Sequence, residues 1–294
     1  MEACRERFPQ MPVERACSLL GLNRGSQYRV AATARTERPT SKRPKEGSLS
    51  LRAAVERVVL EFPGYGYRRV TKHLQREGWE VNRKRVLRVM REESLLCQLK
   101  RRWTKTTDSA HGWRVYPNRL ADRGWRHLTR RDEAWVADLT YIRLGGEFVY
   151  LATVMDAYSR RVVGWCLGRT LEAELALTAL ERALAERQPG PGWIHHSDRG
   201  VQYACGAYIQ RLEAAGACIS MAGKGSPLEN AQAERLFRTL KEEEVYLQDY
   251  QTFEEAEASI GRFLEEVYNR QRLHSSLGYL PPCEFEELTL AGAL

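Results

Sequence analysis

The sequence of 294 residues has no apolar run near the roughly 18 residues that a membrane-spanning helix needs, so no helical span is expected. It has no Cys-x-x-Cys pair: its seven cysteines are scattered at positions 4, 17, 97, 166, 205, 218 and 283. The number is odd, so neither a disulfide framework nor a zinc finger is expected, and a reducing cytoplasm suits such a chain. The opening residues Met1–Arg7 are charged and lack the apolar stretch of a secretion signal. Acid is scarce in the first half. Residues 1–133 carry 31 Lys and Arg against 15 Asp and Glu, a net +16, whereas residues 134–294 carry a net −8. A basic half would neutralise phosphates and release counterions; an acidic half would repel DNA unless its carboxylates bound divalent metal. Apolar residues are plentiful, 43% of the chain, enough for a real core.

The pattern divides the chain into blocks. Residues 1–32 form a short helical, helix-turn-helix-like segment, with Val13, Ala16, Cys17 and Leu20 on one face. Residues 33–48, rich in Arg, Lys, Thr, Pro and Ser, read as a basic flexible linker. Residues 49–97 predict three helices. Leu51, Val55, Val58, Val59 and Phe62 line the first, Pro63-Gly64-Tyr65-Gly66 ends it, and Val70 and Leu74 line the second. Gly78 turns the chain and Asn82 caps a third helix lined by Val86, Val89 and Met90. That last helix presents Arg83, Lys84, Arg85, Arg88 and Arg91, the layout of a major-groove reader or of a small bundle with a wet basic face. Residues 98–133 mix Arg and Lys with Trp103, Trp113, Tyr116 and Trp125, which suits DNA contact and a docked linker equally.

From residue 134 the pattern changes. Three meandering strands are expected over 134–142, 148–155 and 161–167, then a helix over 172–187. A short strand over 193–196, a helix over 203–215, a fifth strand over 217–221 and helices over 229–247 and 253–269 complete the pattern. This is an α/β arrangement, a mixed five-stranded sheet with flanking helices, preceded by small all-α units. Asp138 lies inside the first strand, where a charge is costly without a task. Asp198 follows the fourth strand at a sheet edge, and Glu234 lies on a helix. Three converging hard oxygen donors would suit Mg²⁺ or Mn²⁺, and two such ions serve phosphodiester chemistry. With 38 acids to choose from, composition alone does not single these out. Asp156 reads as a turn residue, Trp135 and Trp165 as core, and Glu242, Glu243 and Glu244 as a solvated helix face. Alternation sends His195 and His196 to opposite faces, one of them buried.

Five stretches together resemble one family. They are Trp135-Val136-Ala137-Asp138-Leu139-Thr140, His196-Ser197-Asp198-Arg199-Gly200-Val201-Gln202-Tyr203, the run Lys224–Glu234, the run Asn269–Tyr279, and Tyr65-Gly66-Tyr67-Arg68-Arg69-Val70. In this order they resemble the DDE transposases of insertion-sequence family three, OrfB type, whose catalytic core is ribonuclease-H-like and similar to that of retroviral integrases. The resemblance covers residues 12 to 287 and implies a core over 134–250 with a C-terminal helical extension over 251–294. It implies that Asp138, Asp198 and Glu234 bind two Mg²⁺ or Mn²⁺ ions. It implies that Lys241 and Arg238 touch terminal DNA, with an intrahelical pair to Glu234 or Glu242 as the plainer alternative. Arg68, Arg69, Arg83, Lys84, Arg85 and Arg88 would then hold double-stranded DNA, both element ends and target. The implied activity is metal-dependent cleavage at element ends followed by strand transfer. The implied assembly is a homo-oligomeric synaptic complex in the bacterial cytoplasm, with an upstream OrfA segment as a further partner.

Glu229 stands where the family has Asp, which lengthens the side chain before Asn230. A retroviral His/Cys zinc module cannot be assembled from residues 1–60, and neither an all-β tail nor leucine-zipper heptads are seen. A structure-selective nuclease of the same fold, and a DNA-binding relic or regulator inactive without OrfA, are the competing readings.

Overall fold

The computed structural model describes residues 46–97, 114–121, 125–223 and 230–293. The helices expected over 12–30, most of the linker and the basic aromatic stretch 98–113 lie outside the described residues. The chain divides into two compact units, Met1–Arg52 and Ala53–Leu294. Only residues 46–52 of the first are described, as the start of helix α1 (Glu46–Glu61). The linker assigned to 33–48 therefore ends earlier than expected, its last three residues being helical.

The second unit holds α2 (Tyr67–Arg76) and α3 (Arg83–Glu92) together with the sheet. Pro63 and Gly64 end α1 as expected, and Asn82 caps α3 by accepting a hydrogen bond from the Lys84 N–H at 2.9 Å. Val70 and Leu74 of α2, with Val86, Val89 and Met90 of α3, are buried, while Arg83, Lys84, Arg85, Arg88 and Arg91 are exposed.

Five strands follow: β1 (Ala134–Leu144), β2 (Glu147–Asp156), β3 (Val162–Gly168), β4 (Ile194–Ser197) and β5 (Cys218–Met221). Their order is β3-β2-β1-β4-β5, with β1–β2–β3 antiparallel and β1–β4–β5 parallel. Helix α4 (Ala173–Arg187) supplies the crossover from β3. Gly164 permits its close approach, since a Cβ there would stand 2.2 Å from the Ala179 carbonyl oxygen. The helix expected over 203–215 is two, α5 (Val201–Ala204) and α6 (Gly206–Ala214), because Cys205 between them is extended. The helix expected to run to Leu247 is α7 (Ala231–Glu243); Glu244, at φ −134°, breaks it before a 3₁₀ turn. Glu244 is held out of the helix by Tyr250 Oη and Ser259 Oγ, which both donate to its carboxylate.

Two apolar layers cover the sheet. On one side Trp135, Ala152, Val154 and Val163 pack with Ala179, Leu180 and Ala183 of α4 and with Tyr203, Tyr208 and Leu212. On the other, Ile142, Val149, Leu151 and Met155 pack with Leu236, Phe237 and Leu240 of α7. Helix α8 (Phe253–Arg262) and the π-helical segment Phe263–Gln271 belong to this second layer through Ile260, Phe263, Leu264 and Tyr268. The segment expected as an extension beyond residue 250 thus completes the core. Its Asn269 caps the edge of β3: the side-chain amide donates to the Val162 carbonyl and accepts from the Val162 N–H, both at 2.9 Å. Helix α9 (Pro282–Leu290) is tied down by buried Glu286, which accepts from Ser159 Oγ and pairs with Arg161 and Arg187.

A buried ion network joins the helical segment to this core. Arg272 makes two 2.7 Å hydrogen bonds to Glu243 on α7. Arg69 reaches the same carboxylate at 3.4 Å, and the Leu273 N–H donates to Tyr65 Oη at 2.7 Å. Gly64 leaves room for this, since a Cβ there would stand 2.2 Å from Glu243 Cγ. Glu243 and Glu244 are therefore buried anchors and not a solvated face. Removing one partner strands a buried charge. Arg272→Ala should cost about 3 kcal/mol, read as a lowered denaturation midpoint of the purified chain.

Candidate active site

Strand register positions the two aspartates. In the parallel pair β1–β4, Trp135 lies opposite His195 and Val136 opposite His196. Two residues beyond that last pair stand Asp138, still within β1, and Asp198, just past the end of β4. Both side chains are half-buried. Asp198 Oδ1 accepts the Gly200 N–H at 2.8 Å, and Asp138 Oδ1 accepts the Leu139 N–H at 2.8 Å.

Their closeness is visible in the electrostatics. Burial holds the Asp138 carboxyl well above the usual carboxylate range, and the negative charge of Asp198 raises it further. Glu234, exposed on the first turn of α7, adds to the repulsion; the Leu139 N–H and Lys241 oppose it. Three acids within electrostatic reach of one another form a donor set that suits a hard dication, which would relieve their repulsion. Among the described residues, no three His, Cys, Asp or Glu side chains gather tightly enough to hold an ion. The Asp138–Asp198 pair is the assembled part, and Glu234 senses it without closing the cluster.

Lys241 lies near this site with its Nζ 4.4 Å from the Tyr141 ring centroid; burial lowers its pKa and Asp138 raises it. The cation–π contact to Tyr141 was not anticipated, because sequence spacing does not show which strand residue faces a distant helix. Arg238 is exposed on α7. Of the basic residues assigned to DNA, Arg68, Arg83, Lys84, Arg85 and Arg88 are exposed, whereas Arg69 is partly buried, 3.4 Å from Glu243 and over the Tyr65 ring. Arg68, Lys72 and Arg83, with Trp79 and Tyr279, line an open cavity of about 750 Å³ beside α3.

His195 and His196 leave β4 on opposite faces as expected, yet both are buried. Tyr208 Oη lies 2.9 Å from His195 Nε2, and Ser220 Oγ lies 2.9 Å from His196 Nδ1. Asp156 serves the turn after β2: its carboxylate accepts from the backbone N–H groups of Asp132, Tyr158 and Ser159, with Ser159 Oγ 2.9 Å away. Trp135 is core, and Trp165 is partly buried against the second layer.

A mixed β3-β2-β1-β4-β5 sheet with helices on both faces and acids at adjoining strand ends defines a ribonuclease-H-like core of the integrase and transposase class. Family models agree: one described as an integrase core domain matches residues 129–227, another of that description 215–282, and an HTH-like domain 48–103. The chain is 34% identical over 271 residues to the insertion element IS600 uncharacterized 31 kDa protein of Shigella sonnei, covering 92% of this chain and 97% of that one. It is 36% identical to the transposase for insertion sequence element IS629 of Shigella sonnei, covering 81% of this chain and 79% of that one. It is 34% identical to transposase InsF for insertion sequence IS3A of Escherichia coli K12, covering 77% and 78%. It therefore belongs to the transposases of IS3-type insertion sequences. Among solved structures, the HTLV-2 integrase catalytic core domain in complex with magnesium matches at TM-score 0.39 and 14% identity over 50% of this chain and 92% of that one. The Mos1 mariner transposase catalytic domain matches at 0.40 and 17% over 46% and 71%.

The buried histidine beside the site makes a pH prediction. Burial, helped by the neighbouring His196, pushes His195 down to about 3 from its ordinary 6.5. The folded chain thus binds fewer protons than the unfolded one, so the stability His195 contributes is present above pH 6.5 and is lost as pH falls towards 3. Denaturation measured from pH 7 to 4 should show an acid limb, which His195→Gln makes shallower by about one proton, or about 1.4 kcal/mol per pH unit.

Proposed function

We propose that this chain is a metal-dependent polynucleotidyl transferase that cuts at the ends of its insertion sequence and joins them to target DNA. The observation that supports this most is the parallel β1–β4 register, which brings Asp138 and Asp198 together within reach of Glu234's charge. Asp138, Asp198 and Glu234 would hold Mg²⁺ or Mn²⁺, two ions in the full site. When bound, such ions lower the pKa of an attacking water or hydroxyl and offset charge on the phosphate. The chain's own residues orient and bind. Exposed Arg68, Arg83, Lys84, Arg85 and Arg88 hold the duplex of the element end, and Lys241 and Arg238 contact DNA beside the carboxylates. In cleavage, a water oxygen forms a bond to phosphorus and the P–O3′ bond breaks, leaving a 3′-hydroxyl. In joining, that hydroxyl's oxygen attacks a target phosphorus and the target's P–O3′ bond breaks, its oxygen taking the proton. No covalent protein–DNA intermediate is required. Pairing of two element ends calls for a homo-oligomeric complex, and an upstream OrfA segment would be a further partner in the cytoplasm.

The test is a joining assay on a plasmid carrying the gene's native flanks, with Mg²⁺ or Mn²⁺. Wild type should give new strand junctions at the flanks, and Asp198→Asn should lower them on the order of 100-fold or more. Nicking without junctions would assign the nuclease reading; binding without cleavage, a DNA-binding relic or a chain that needs OrfA.

A second expectation separates DNA contacts from structural cations. Arg88→Ala should weaken binding to element-end duplex and reduce the salt slope by about one, with the melting temperature unchanged. Arg69→Ala should lower the melting temperature instead. Equal effects of the two substitutions on binding and stability would remove this division of roles.

A further inference from the structure

The cations of α2 fall into two groups. Arg69 and Arg76 pair with Glu243 and Glu284. Arg68 and Lys72, one turn apart, meet tyrosines instead: Arg68 Nε donates to Tyr67 Oη at 3.2 Å, and Lys72 Nζ stands 5.7 Å from the Tyr279 ring centroid. Neither pairs with a carboxylate among the described residues, and the same holds for Arg83 at the start of α3. These three cations line the open cavity beside α3 together with Trp79 and Tyr279; Glu80 is the one acid among its described lining residues.

Both aromatic residues are fixed by their backbone. Gly78, at φ +87°, turns the chain, and the Trp79 N–H donates to the Leu74 carbonyl at 2.9 Å. The Trp79 ring is half-buried and meets no other ring and no cation among the described residues. Tyr279 stands at φ +66° directly after Gly278, itself at φ +66°. The left-handed region is costly for a bulky residue, and such strain persists where the surroundings enforce it, often at ligand sites. The His274 carbonyl enforces it here by accepting the Tyr279 N–H at 2.8 Å, which sets the ring against Lys72.

We propose that this cavity binds an unpaired nucleotide of a DNA strand, its base stacked on Trp79 and its phosphates met by Arg68, Lys72 and Arg83. The proposal rests on the DNA reading given under Proposed function and narrows what Arg68 and Arg83 hold. A duplex offers phosphates and base edges, but its base faces stay stacked on one another. A single strand offers a free base face as well, and a ring among cations is the arrangement that takes one. The volume, about 750 Å³, suits a small ligand and does not admit a duplex. Tyr279 is the positioning residue, holding Lys72 at the wall through its ring.

The test uses the full chain without divalent metal, so that no strand is cut. The probes are a short labelled oligothymidylate and a blunt element-end duplex, read by fluorescence anisotropy. Trp79→Ala should weaken oligothymidylate binding about tenfold and leave duplex binding within about twofold, and Trp79→Phe should restore most of the loss. Lys72→Ala should lower the salt slope for the single strand by about 0.7. Tyr279→Gly should also weaken single-strand binding, with the melting temperature unchanged or raised, because it relieves the left-handed strain. That pairing of effects keeps the test decisive if Trp79→Ala fails to fold. Wild type that binds the duplex but not the oligothymidylate, or Trp79 and Tyr279 variants that bind both probes as wild type does or lose both equally, overturn the proposal and leave the DNA reading standing. Wild type that binds neither probe overturns both.

Discussion

Three residue pairs hold the candidate site together. Ala134, Trp135 and Val136 pair in parallel with Ile194, His195 and His196, and everything at the acidic edge depends on that register. A slip of one residue would turn Asp138 and its neighbours to the other side of the sheet, because side chains alternate with a period of two. The register is protected by burial on both faces. Trp135 and His195 enter the layer under α4 and α6; Val136 and His196 face the opposite side with Ala233 and Trp125. Parallel strands need such cover, which the crossover helices provide. The same burial raises the electrostatic cost of placing two aspartates side by side, so the fold concentrates repulsion where a cation would relieve it.

The second constraint lies at the other end of α7. Glu234 and Glu243 sit on one 13-residue helix, about 13 Å apart along its axis at 1.5 Å per residue. Glu243 is bonded to Arg272 and reached by Arg69, so a single helix carries a site carboxylate at one end and the anchor of the helical segment at the other. The run Asn269–Tyr279 has a structural use in this light. Asn269 caps a strand edge, Arg272 neutralises Glu243, and Leu273 bonds Tyr65. The helical segment adds Arg69 to Glu243 and Tyr65 to the Leu273 N–H, so it is joined to the same helix end and run that Arg272 holds together.

Elements with a local cause were readable from the sequence, and those with a distant cause were not. Asn82 and the apolar stripe of α3 give that helix without reference to the rest of the chain. Alternation and turn residues do the same for β1, β2 and β3. The five-strand arrangement was legible as well, while the choice of Asp138, Asp198 and Glu234 came only through the resemblance. Glu243 was not: three consecutive glutamates look like a solvated face, and only a partner 29 residues away reveals otherwise. The contact of Arg69 with Glu243 was hidden for the same reason, since an arginine beside Arg68 carries no mark of which one turns inward. The break at Glu244 and the π-helical segment also arise from tertiary packing. Tyr279 was readable as part of a motif, but its left-handed backbone and its place beside Lys72 exist only in three dimensions.

The acidic second half poses an apparent difficulty for a DNA-binding chain. Part of its charge is already matched within the fold: Glu181 by Arg211, Glu147 by Arg169, Glu243 by Arg272 and Glu286 by Arg161 and Arg187. The exposed pairs among these, Glu181–Arg211 and Glu147–Arg169, add little stability, but they reduce the field that an approaching phosphate meets. Asp138 is different in kind, because its nearest charged influences are two more acids, opposed only by Lys241 and a backbone amide. The −8 of residues 134–294 is therefore not an even repulsive surface. Several of its acids are paired within the fold and the −8 is what those pairs leave over; part of that remainder is concentrated at the sheet edge, where a bound cation would convert a barrier to phosphate into an attraction.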